Sequence, residues 1–381
     1  MGQKIAIVTE SFLPQINGVT NSVLRILETF KQREIDAMVI APTSETTHHL
    51  GFAIHTVPYV EIKGFPVGIP SPTVSKALDE FQPDLVHLAA PFWLGSHALD
   101  WCIRNSVPSV AVYQTDIAGY CSRYGLDFAR PLVERFTAAL HAPASISLAP
   151  TAEGAKRLQE LGVENVAVWG RGIDTDLFHP ERRDLAEVQV LRNQIAPNSE
   201  LVVGFVGRLA PEKQIDRLLE VADLPNLKLL IVGDGPERSR LEKIFAPFDA
   251  YFAGFQTGLA LANHYAAIDI FVHCGTEETF GQTIQEAKAS GAAVVAPNQG
   301  GPKFLIEHGA TGLLVDPDKI GGYQEAVVKL REREFRTEIS RAARESVLEN
   351  TWARNNSALL EIYREVMNQS LNQRESNLEL A

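Results

Sequence analysis

The sequence predicts an α/β protein built from two doubly wound, Rossmann-like domains with parallel sheets. Short continuous apolar runs alternate with stretches of helical periodicity, which is the pattern of parallel strands buried on both faces. An apolar run, a loop and an amphipathic helix open the chain at Ile5 and recur at Leu201. A length of 381 residues fits two domains of ordinary size.

The first half begins with the apolar run 5–8 and a loop that contains Asn17-Gly18. A helix is predicted next, because apolar residues recur there at i, i+3, i+4 and i+7: Val23, Ile26, Leu27 and Phe30. Further strands are expected at 37–40, 85–88, 110–113, 146–148 and 166–169.

The second half repeats this order with the run 201–206, the loop Gly207-Arg208 and a helix over 215–222. Its other expected strands are 227–232, 251–253, 268–272 and 293–296. The join is placed in the charged, proline-containing stretch 174–198, which gives domains 1–175 and 176–351. An amphipathic helix over 352–367 follows, and the polar tail beyond Asn368 is expected to fray.

Composition narrows the class of protein. A net charge of −12 argues against a general nucleic-acid binder and against broad docking on anionic lipid. Cys102, Cys121 and Cys274 have no metal-type spacing. No apolar run approaches the ~20 residues of a membrane span, and the N-terminus has no signal-peptide core, so we expect a cytoplasmic location.

The most informative motif is Glu278-Thr279-Phe280-Gly281-Gln282, followed by Glu286. It lies between a predicted strand and a predicted helix. Free N–H groups at the helix start would suit an anion, and the two carboxylates would accept hydrogen bonds from sugar hydroxyls. A nucleotide-sugar site follows from that arrangement. An ordinary helix start, with Thr279 and Gln282 in a capping box, fits the spacing as well.

Gly207-Arg208 and Lys213 place two cations after a strand in the same domain, where they would neutralise a diphosphate. Taken alone, either cation would be explained equally well as an ordinary solvent-exposed surface residue. Gly233-Asp234-Gly235-Pro236 begins like a dinucleotide fingerprint but has Arg238 at the third glycine position, so nicotinamide binding is not expected. A tight turn is the default interpretation there, with Gly235 near a ligand as the alternative.

Polar groups at other predicted strand ends are candidates for the acceptor side. They are Asn17, Gln114, Asp116 and Arg171, and each also fits a turn, a cap or a structural contact. Three histidines near strand ends have no metal-type partners, and we expect them to have packing roles: His87, His97 and His273.

Together these motifs resemble those of the retaining glycosyltransferases of family 4, over residues 4–365. The resemblance implies a GT-B fold, in which the two domains face each other across a cleft and the C-terminal helix returns to the first domain. The motifs that carry it are Glu278 with Glu286, Gly207-Arg208 with Lys213, 233–236, 171–174 with Phe178, and Gly300-Gly301 before 311–315.

The resemblance also assigns roles. Arg208 and Lys213 would bind the donor diphosphate, and Gly18 would lie over its phosphates. Glu278 would contact the transferred sugar, and Glu286 the ribose. The backbone around Phe280, Gly281 and Gln282 would support the diphosphate. No metal cofactor is expected in such an enzyme.

Within the family, the segments 17–22, 113–116 and 171–174 are most similar to those of bacterial GDP-mannose-dependent α-mannosyltransferases that act on glycolipid precursors. Sulfolipid synthases, which use a UDP-sugar, are similar in the same places. Many relatives carry a histidine at the position of Gln114, and Gln114 cannot take a proton. Asp116 is the nearest substitute, and a front-face mechanism, in which the leaving phosphate takes the proton, is the other route.

Two further expectations concern partners. The segment 62–70 combines apolar residues with Lys63, which fits contact with the inner membrane leaflet or an acceptor tail, and equally an irregular loop. The alternatives to a transferase are a nucleotide-sugar epimerase or phosphorylase on the same scaffold, and a two-domain binding protein.

Overall fold

The computed structural model describes residues 3–62, 65–69, 71–114, 128, 130–278 and 280–379. The chain divides into two compact units. Among the described residues, the first unit contains those up to Arg171 and again those from Trp352, and the second contains Gly172–Thr351. The two Rossmann-like α/β units and their mainly parallel sheets confirm the predicted fold class.

The first unit contains an eight-stranded sheet and a separate hairpin. The strands are β1 (Lys4–Thr9), β2 (Asp36–Ala41), β3 (His48–His49), β4 (Phe52–Thr56), β5 (Tyr59–Ile62), β6 (Phe65–Gly68), β7 (Leu85–Ala89), β8 (Ser109–Val112), β9 (Ile146–Ala149) and β10 (Val166–Val168). The sheet order is β10-β9-β8-β7-β1-β2-β4-β3, and among these pairs β3 alone runs antiparallel to its neighbour. The described helices before the second unit are α1 (Gly18–Gln32), α2 (Pro72–Phe81), α3 (Trp93–Asn105), α4 (Arg130–His141) and α5 (Ala152–Glu160).

The second unit contains a six-stranded parallel sheet in the order β13-β12-β11-β14-β15-β16. Its strands are β11 (Leu201–Val206), β12 (Leu227–Val232), β13 (Tyr251–Gly254), β14 (Ile270–Val272), β15 (Ala293–Pro297) and β16 (Leu313–Val315). Its helices are α6 (Ala186–Ile195), α7 (Leu219–Ala222), α8 (Arg238–Phe245), α9 (Gly258–Ala267), α10 (Gln282–Ala289), α11 (Pro302–Leu305), α12 (Gly322–Leu330) and α13 (Arg333–Glu345).

The C-terminal helix α14 (Trp352–Glu379) belongs to the first unit. Its apolar face contributes Leu359, Tyr363 and Val366 to the core beneath α1. The Tyr363 hydroxyl also shares a 2.7 Å hydrogen bond with Nδ1 of the buried His87. The expectation of a frayed tail beyond Asn368 was wrong, since the helix continues to Glu379 without a glycine or proline to stop it.

Three other local predictions differ from the structure. The strand expected from residue 268 begins at Ile270, because Ile268 ends α9 in an extended conformation. The stretch expected to join the domains instead forms α6, whose Val188 packs in the core of the second unit. Part of the segment 62–70 forms the β5–β6 hairpin rather than an irregular loop, and Lys63 lies outside the described residues. None of the helices in the described part of the chain is both long and apolar enough to cross a membrane.

Candidate active site

The candidate donor site lies at one edge of the second sheet. Strands β12 and β14 flank β11, and β15 follows β14, all in parallel. Their carboxyl ends therefore meet at the same edge, where ligands bind in open α/β sheets. The loops that leave this edge carry Arg208, Gly233, Glu278 and Gly300, so the sheet brings together motifs that are far apart in sequence.

Lys213 and Glu278 are in direct contact, Nζ to Oε1, although 65 residues separate them. Lys213 ends a short 3₁₀ turn (Pro211–Lys213) in the loop after β11. Both side chains are about one-fifth exposed, at 19% and 21%. The ammonium and the carboxylate thus form a partly buried ion pair that a ligand can still reach.

The Glu278 loop is held in place by the glycines after β15. The Gly301 N–H donates a 2.7 Å hydrogen bond to the Glu278 carbonyl. Gly300 has a φ of +66°, and a Cβ there would lie 2.4 Å from the Thr276 carbonyl oxygen. Only glycine permits this approach, so the Gly300-Gly301 motif positions the loop that carries the candidate sugar-binding carboxylate.

Arg208 is the more exposed of the two cations, at 41% of its side-chain surface. Its Nη1 lies 3.7 Å from Oε1 of Glu212, a buried carboxylate. Glu212 therefore orients the guanidinium from its buried side, and the guanidinium remains accessible to a ligand. A planar, always charged group in this position suits bidentate recognition of phosphate oxygens.

Gly233 and Gly235 have a steric role that the sequence does not reveal. A Cβ on Gly233 would lie 1.9 Å from the Gly207 carbonyl oxygen, and one on Gly235 would lie 2.4 Å from the Leu209 carbonyl oxygen. The two glycines let the loop after β12 pack directly against the loop that carries Arg208. Their place at a turn was predicted, and this packing explains why both positions are glycine.

Helix α10 begins in sequence directly after the Glu278 loop. Gly281 precedes it with a φ of +104°, and the Phe280 side chain is buried. Thr279, the first member of the alternative capping box, lies outside the described residues. Gln282, the second member, is the first helical residue, and its Nε2 donates to the Gly172 carbonyl at 3.0 Å. The helix start is therefore formed by glycine backbone, which an anion can approach closely.

Glu286 lies one turn into α10, where Oε2 accepts a 2.7 Å hydrogen bond from the Tyr265 hydroxyl. Burial raises the pKa of Tyr265 well above its usual value, and the Glu286 charge raises it further. The phenol consequently stays protonated and donates, which holds the carboxylate in one orientation. A carboxylate held in one orientation suits a diol such as a ribose.

His273 directly follows β14 and was expected to pack in the core. It is only 1% exposed, yet neither ring nitrogen makes a hydrogen bond of ordinary geometry with the described residues. Its Nε2 lies 4.0 Å from Oε1 of Glu278. Sequence reasoning missed this proximity; the signal was a histidine at a strand end five residues before a candidate carboxylate.

The first unit brings together three of its four candidate side chains and the Gly18 turn. Arg171 is buried, and its Nη2 donates a 2.6 Å hydrogen bond to Oε1 of Gln114. Its guanidinium covers Gly18, where a Cβ would lie 2.4 Å from Nη1. The Asn17 side chain caps α1 by accepting hydrogen bonds from Val19 and Thr20. Asp116 lies outside the described residues.

The arrangement does not include an evident metal centre in the described part of the chain. No group of three or more His, Cys, Asp or Glu side chains among those residues is placed to hold a metal ion. The cationic groups described at the candidate donor site are Arg208 and Lys213.

Two Rossmann-like units in one chain are the components of the GT-B fold of glycosyltransferases. The family "Glycosyltransferase Family 4" matches residues 16–177, and "Glycosyl transferases group 1" matches residues 189–346. The fold is similar to that of a sucrose-phosphate synthase from Thermosynechococcus elongatus, with a TM-score of 0.80, 20% identity, and coverage of 96% of this chain and 100% of the other.

Closer similarity is found to two curated proteins, each named a GDP-mannose-dependent alpha-mannosyltransferase. The one from Mycolicibacterium smegmatis is 42% identical over 92% of this chain and 94% of its own length. The one from Corynebacterium glutamicum is 40% identical over 96% of this chain and 89% of its own length. The chain therefore belongs to glycosyltransferase family 4, as its motifs predicted.

Proposed function

We propose that this glycosyltransferase moves mannose from GDP-mannose, with retention of configuration, to a hydroxyl group of a glycolipid or saccharide acceptor. The choice of donor is supported by the 40–42% identity to mannosyltransferases that depend on GDP-mannose. The observation that supports the proposal most is the contact between Lys213 and Glu278, since a donor site of this kind would need a cation for the phosphates beside a carboxylate for the sugar.

In this proposal Arg208 and Lys213 bind the diphosphate of the donor. Negative charge develops on the leaving diphosphate as the glycosidic bond breaks, and the two cations and the α10 start at Gly281 stabilise it. Glu278 accepts hydrogen bonds from hydroxyls of the transferred sugar. Glu286, oriented by Tyr265, holds the ribose. No metal cofactor is required, because the fixed cations supply the positive charge.

The acceptor is assigned to the first unit, with Asn17, Gln114, Asp116 and Arg171 as the residues that face it. Arg171 covers Gly18, which supports a common location for three of these residues. Gln114 cannot remove a proton from the acceptor hydroxyl. The proton goes either to the departing phosphate in a front-face reaction or to Asp116.

A glycolipid acceptor would require a cytoplasmic enzyme with peripheral contact at the inner face of the membrane. The β5–β6 hairpin supports such contact, since Tyr59 and Val60 expose 49% and 41% of their surface. Ile69, directly after the hairpin, is 36% exposed. These apolar side chains suit partial insertion among lipid head groups.

Calorimetric titration of GDP and UDP into the protein tests the donor class. We expect clear binding of GDP and at least tenfold weaker binding of UDP. A preference for UDP would replace the donor with a UDP-sugar of the glucosyl or sulfoquinovosyl type. The proposal fails as a whole if neither nucleotide binds, since a sugar-binding protein would then fit better.

Incubation with GDP-mannose then tests the reaction. We expect mannosylated products, detected by mass, when a lipid extract or free sugars are present. Donor turnover that is independent of any acceptor would contradict transfer and would favour an epimerase or phosphorylase.

A further inference from the structure

Lys288 is a buried cation on α10 that takes no part in the donor site. Its side chain is 2% exposed, and no carboxylate in the described part of the chain forms an ion pair with it. Lysine is almost never buried so completely without a counter-charge, because removing an ammonium from water is costly. Burial lowers the pKa of Lys288 to about 8, so the group is still mainly protonated at pH 7. A benefit elsewhere in the unit must offset this cost.

The Lys288 ammonium joins α10 to three segments that are remote in sequence. Nζ donates to the carbonyl oxygen of Leu305, the last residue of α11. It also donates to the Ser346 hydroxyl, directly after α13, at 3.2 Å, and to the Thr311 hydroxyl at 3.4 Å. All three acceptors are neutral. Lys288 therefore works as an anchor between segments and not as one half of an ion pair.

Of these segments, α11 depends most on an external contact. It comprises only Pro302–Leu305, and a single turn makes too few internal hydrogen bonds to be stable alone. Its Lys303 and Phe304 side chains are exposed and add little packing. The Leu305 carbonyl lies at the C-terminal end, where carbonyl groups lack helical partners and a cation is favourable. Lys288 supplies both a hydrogen-bond donor and a positive charge at that end.

Both ends of α11 contact parts of the candidate donor site. Just before the helix, the Gly301 N–H donates to the Glu278 carbonyl at 2.7 Å. At its last residue, the Leu305 side chain lies against Gly281, where an added Cβ would be 3.3 Å from Leu305 Cδ1. One short segment thus braces the Glu278 loop and the start of α10, and Lys288 holds the far end of that segment.

We propose that Lys288 is a positioning residue for the donor site: it anchors the Leu305 carbonyl and so fixes α11, and α11 fixes the Glu278 loop and the backbone at Gly281. This inference rests on the proposed function, in which those two parts bind the sugar and the diphosphate. A buried cation is retained where an apolar side chain would pack at lower cost, because only a donor can hold the carbonyl. Loss of the anchor should leave the sheet intact and loosen the segment that begins at Gly301.

Three substitutions separate this role from a general one in packing. Lys288→Met fills the space without a donor, Lys288→Gln keeps a shorter donor, and Ser346→Ala removes an acceptor that does not belong to α11. We expect kcat/KM for GDP-mannose to fall roughly tenfold or more in Lys288→Met, since small displacements of binding groups slow transfer strongly. Lys288→Gln should recover part of that loss, and Ser346→Ala should keep nearly the wild-type value.

Hydrogen exchange of the proteins without ligand tests the positioning directly. In Lys288→Met we expect faster exchange of the Gly301 and Phe304 amides, which bond to the Glu278 and Gly301 carbonyls, and unchanged exchange in β11 and β12. Faster exchange throughout the second unit would overturn the inference, since Lys288 would then stabilise the unit as a whole, and so would unchanged exchange at Gly301.

The activity measurements add further outcomes that would contradict this role. They are full activity in Lys288→Met, no recovery in Lys288→Gln, an equal loss in Ser346→Ala, and unfolding of both Lys288 variants. The exchange measurement needs no donor. Failure of the wild type to bind GDP-mannose would therefore refute the proposed function separately, whatever the exchange at Gly301.

Discussion

Arg171 donates a 2.6 Å hydrogen bond from Nη2 to Oε1 of Gln114 within the buried part of the first unit. This contact gives Gln114 a structural role, that of an acceptor for a buried guanidinium. A guanidinium is always charged and always a donor, so its neighbour must accept. The amide oxygen of Gln114 accepts this bond, which directs the amide NH₂ group away from Arg171.

Gln114→Leu should therefore destabilise the first unit. The substitution removes one acceptor of a buried guanidinium, and we expect the free energy of unfolding to fall by about 1–3 kcal/mol. Gln114→Glu keeps an acceptor oxygen and should retain most of the stability. Urea denaturation of the three proteins measures the difference. Equal stability of wild type and Gln114→Leu would show that the hydrogen bond is unimportant.

Arg208→Ala and Lys213→Ala should each lower kcat by roughly a hundredfold or more, since each removes a group that stabilises the leaving diphosphate. The fold should be retained because both side chains are at least partly exposed, so the thermal midpoint should change little. Initial rates of mannosyl transfer at saturating acceptor measure the effect.

Arg341→Ala provides the matched control for these two variants. Arg341 lies on α13 in the same unit, is 72% exposed and makes a surface contact of 3.5 Å with Glu345. Its removal changes net charge by the same amount without touching the candidate site. Comparable rates in Arg208→Ala, Lys213→Ala and Arg341→Ala would refute the assignment of the diphosphate site.

The strands were largely predictable, because the pattern that indicates a buried strand is a continuous run of apolar residues within the strand itself. Continuous apolar runs placed Leu201–Val206 and Leu227–Val232 at their observed bounds, and most other strands within about two residues. The hairpin was missed because Pro66 interrupts its apolar pattern, and α6 was missed because charge obscures its two buried apolar residues. Local composition does not reveal which residues a distant element will cover.

The site was predictable in its residue types but not in its contacts. The sequence indicated Lys213 and Glu278 as separate ligands of a donor, and their pairing depends on the β11–β14 adjacency. Likewise, Gly233 is required by the Gly207 carbonyl, 26 residues earlier in the chain. Such requirements arise between loops that meet only after the sheet has formed, so no local pattern encodes them.

Gly233→Ala should test the packing of the loop after β12 against the loop that carries Arg208. The added Cβ would lie 1.9 Å from a backbone oxygen that cannot move freely, and the φ of +135° disfavours any other residue. We expect a loss of about 3 kcal/mol or more in the free energy of unfolding, together with loss of GDP binding.

Gly322→Ala is the control for adding a methyl group to a glycine of the same unit. The nearest atom to its added Cβ would be 3.5 Å away, an ordinary contact, so its stability should remain close to wild type. Similar stability in Gly233→Ala and Gly322→Ala would contradict the close approach of the two loops.

Glu10 should make the stability of the protein depend on pH. Its Oε1 accepts hydrogen bonds from the Phe92 and Gly95 N–H groups at the start of α3, at 2.9 and 3.0 Å, while Oε2 is buried without a partner among the described residues. Burial raises the pKa of Glu10 to about 7, against the lowering effect of these hydrogen bonds.

The sign of the effect follows from the raised pKa. The folded protein holds the Glu10 proton more tightly than the unfolded chain, whose pKa is near 4.5. This stabilisation is complete below pH 4.5 and is lost as pH rises through 7, by up to about 3 kcal/mol. Glu10→Gln cannot ionise, so its stability relative to wild type should increase by that amount between pH 4 and pH 8.

Glu80→Gln, which removes an exposed carboxylate from α2, controls for the change in charge. If urea midpoints of wild type and Glu10→Gln shift in parallel across this range, Glu10 does not ionise as described.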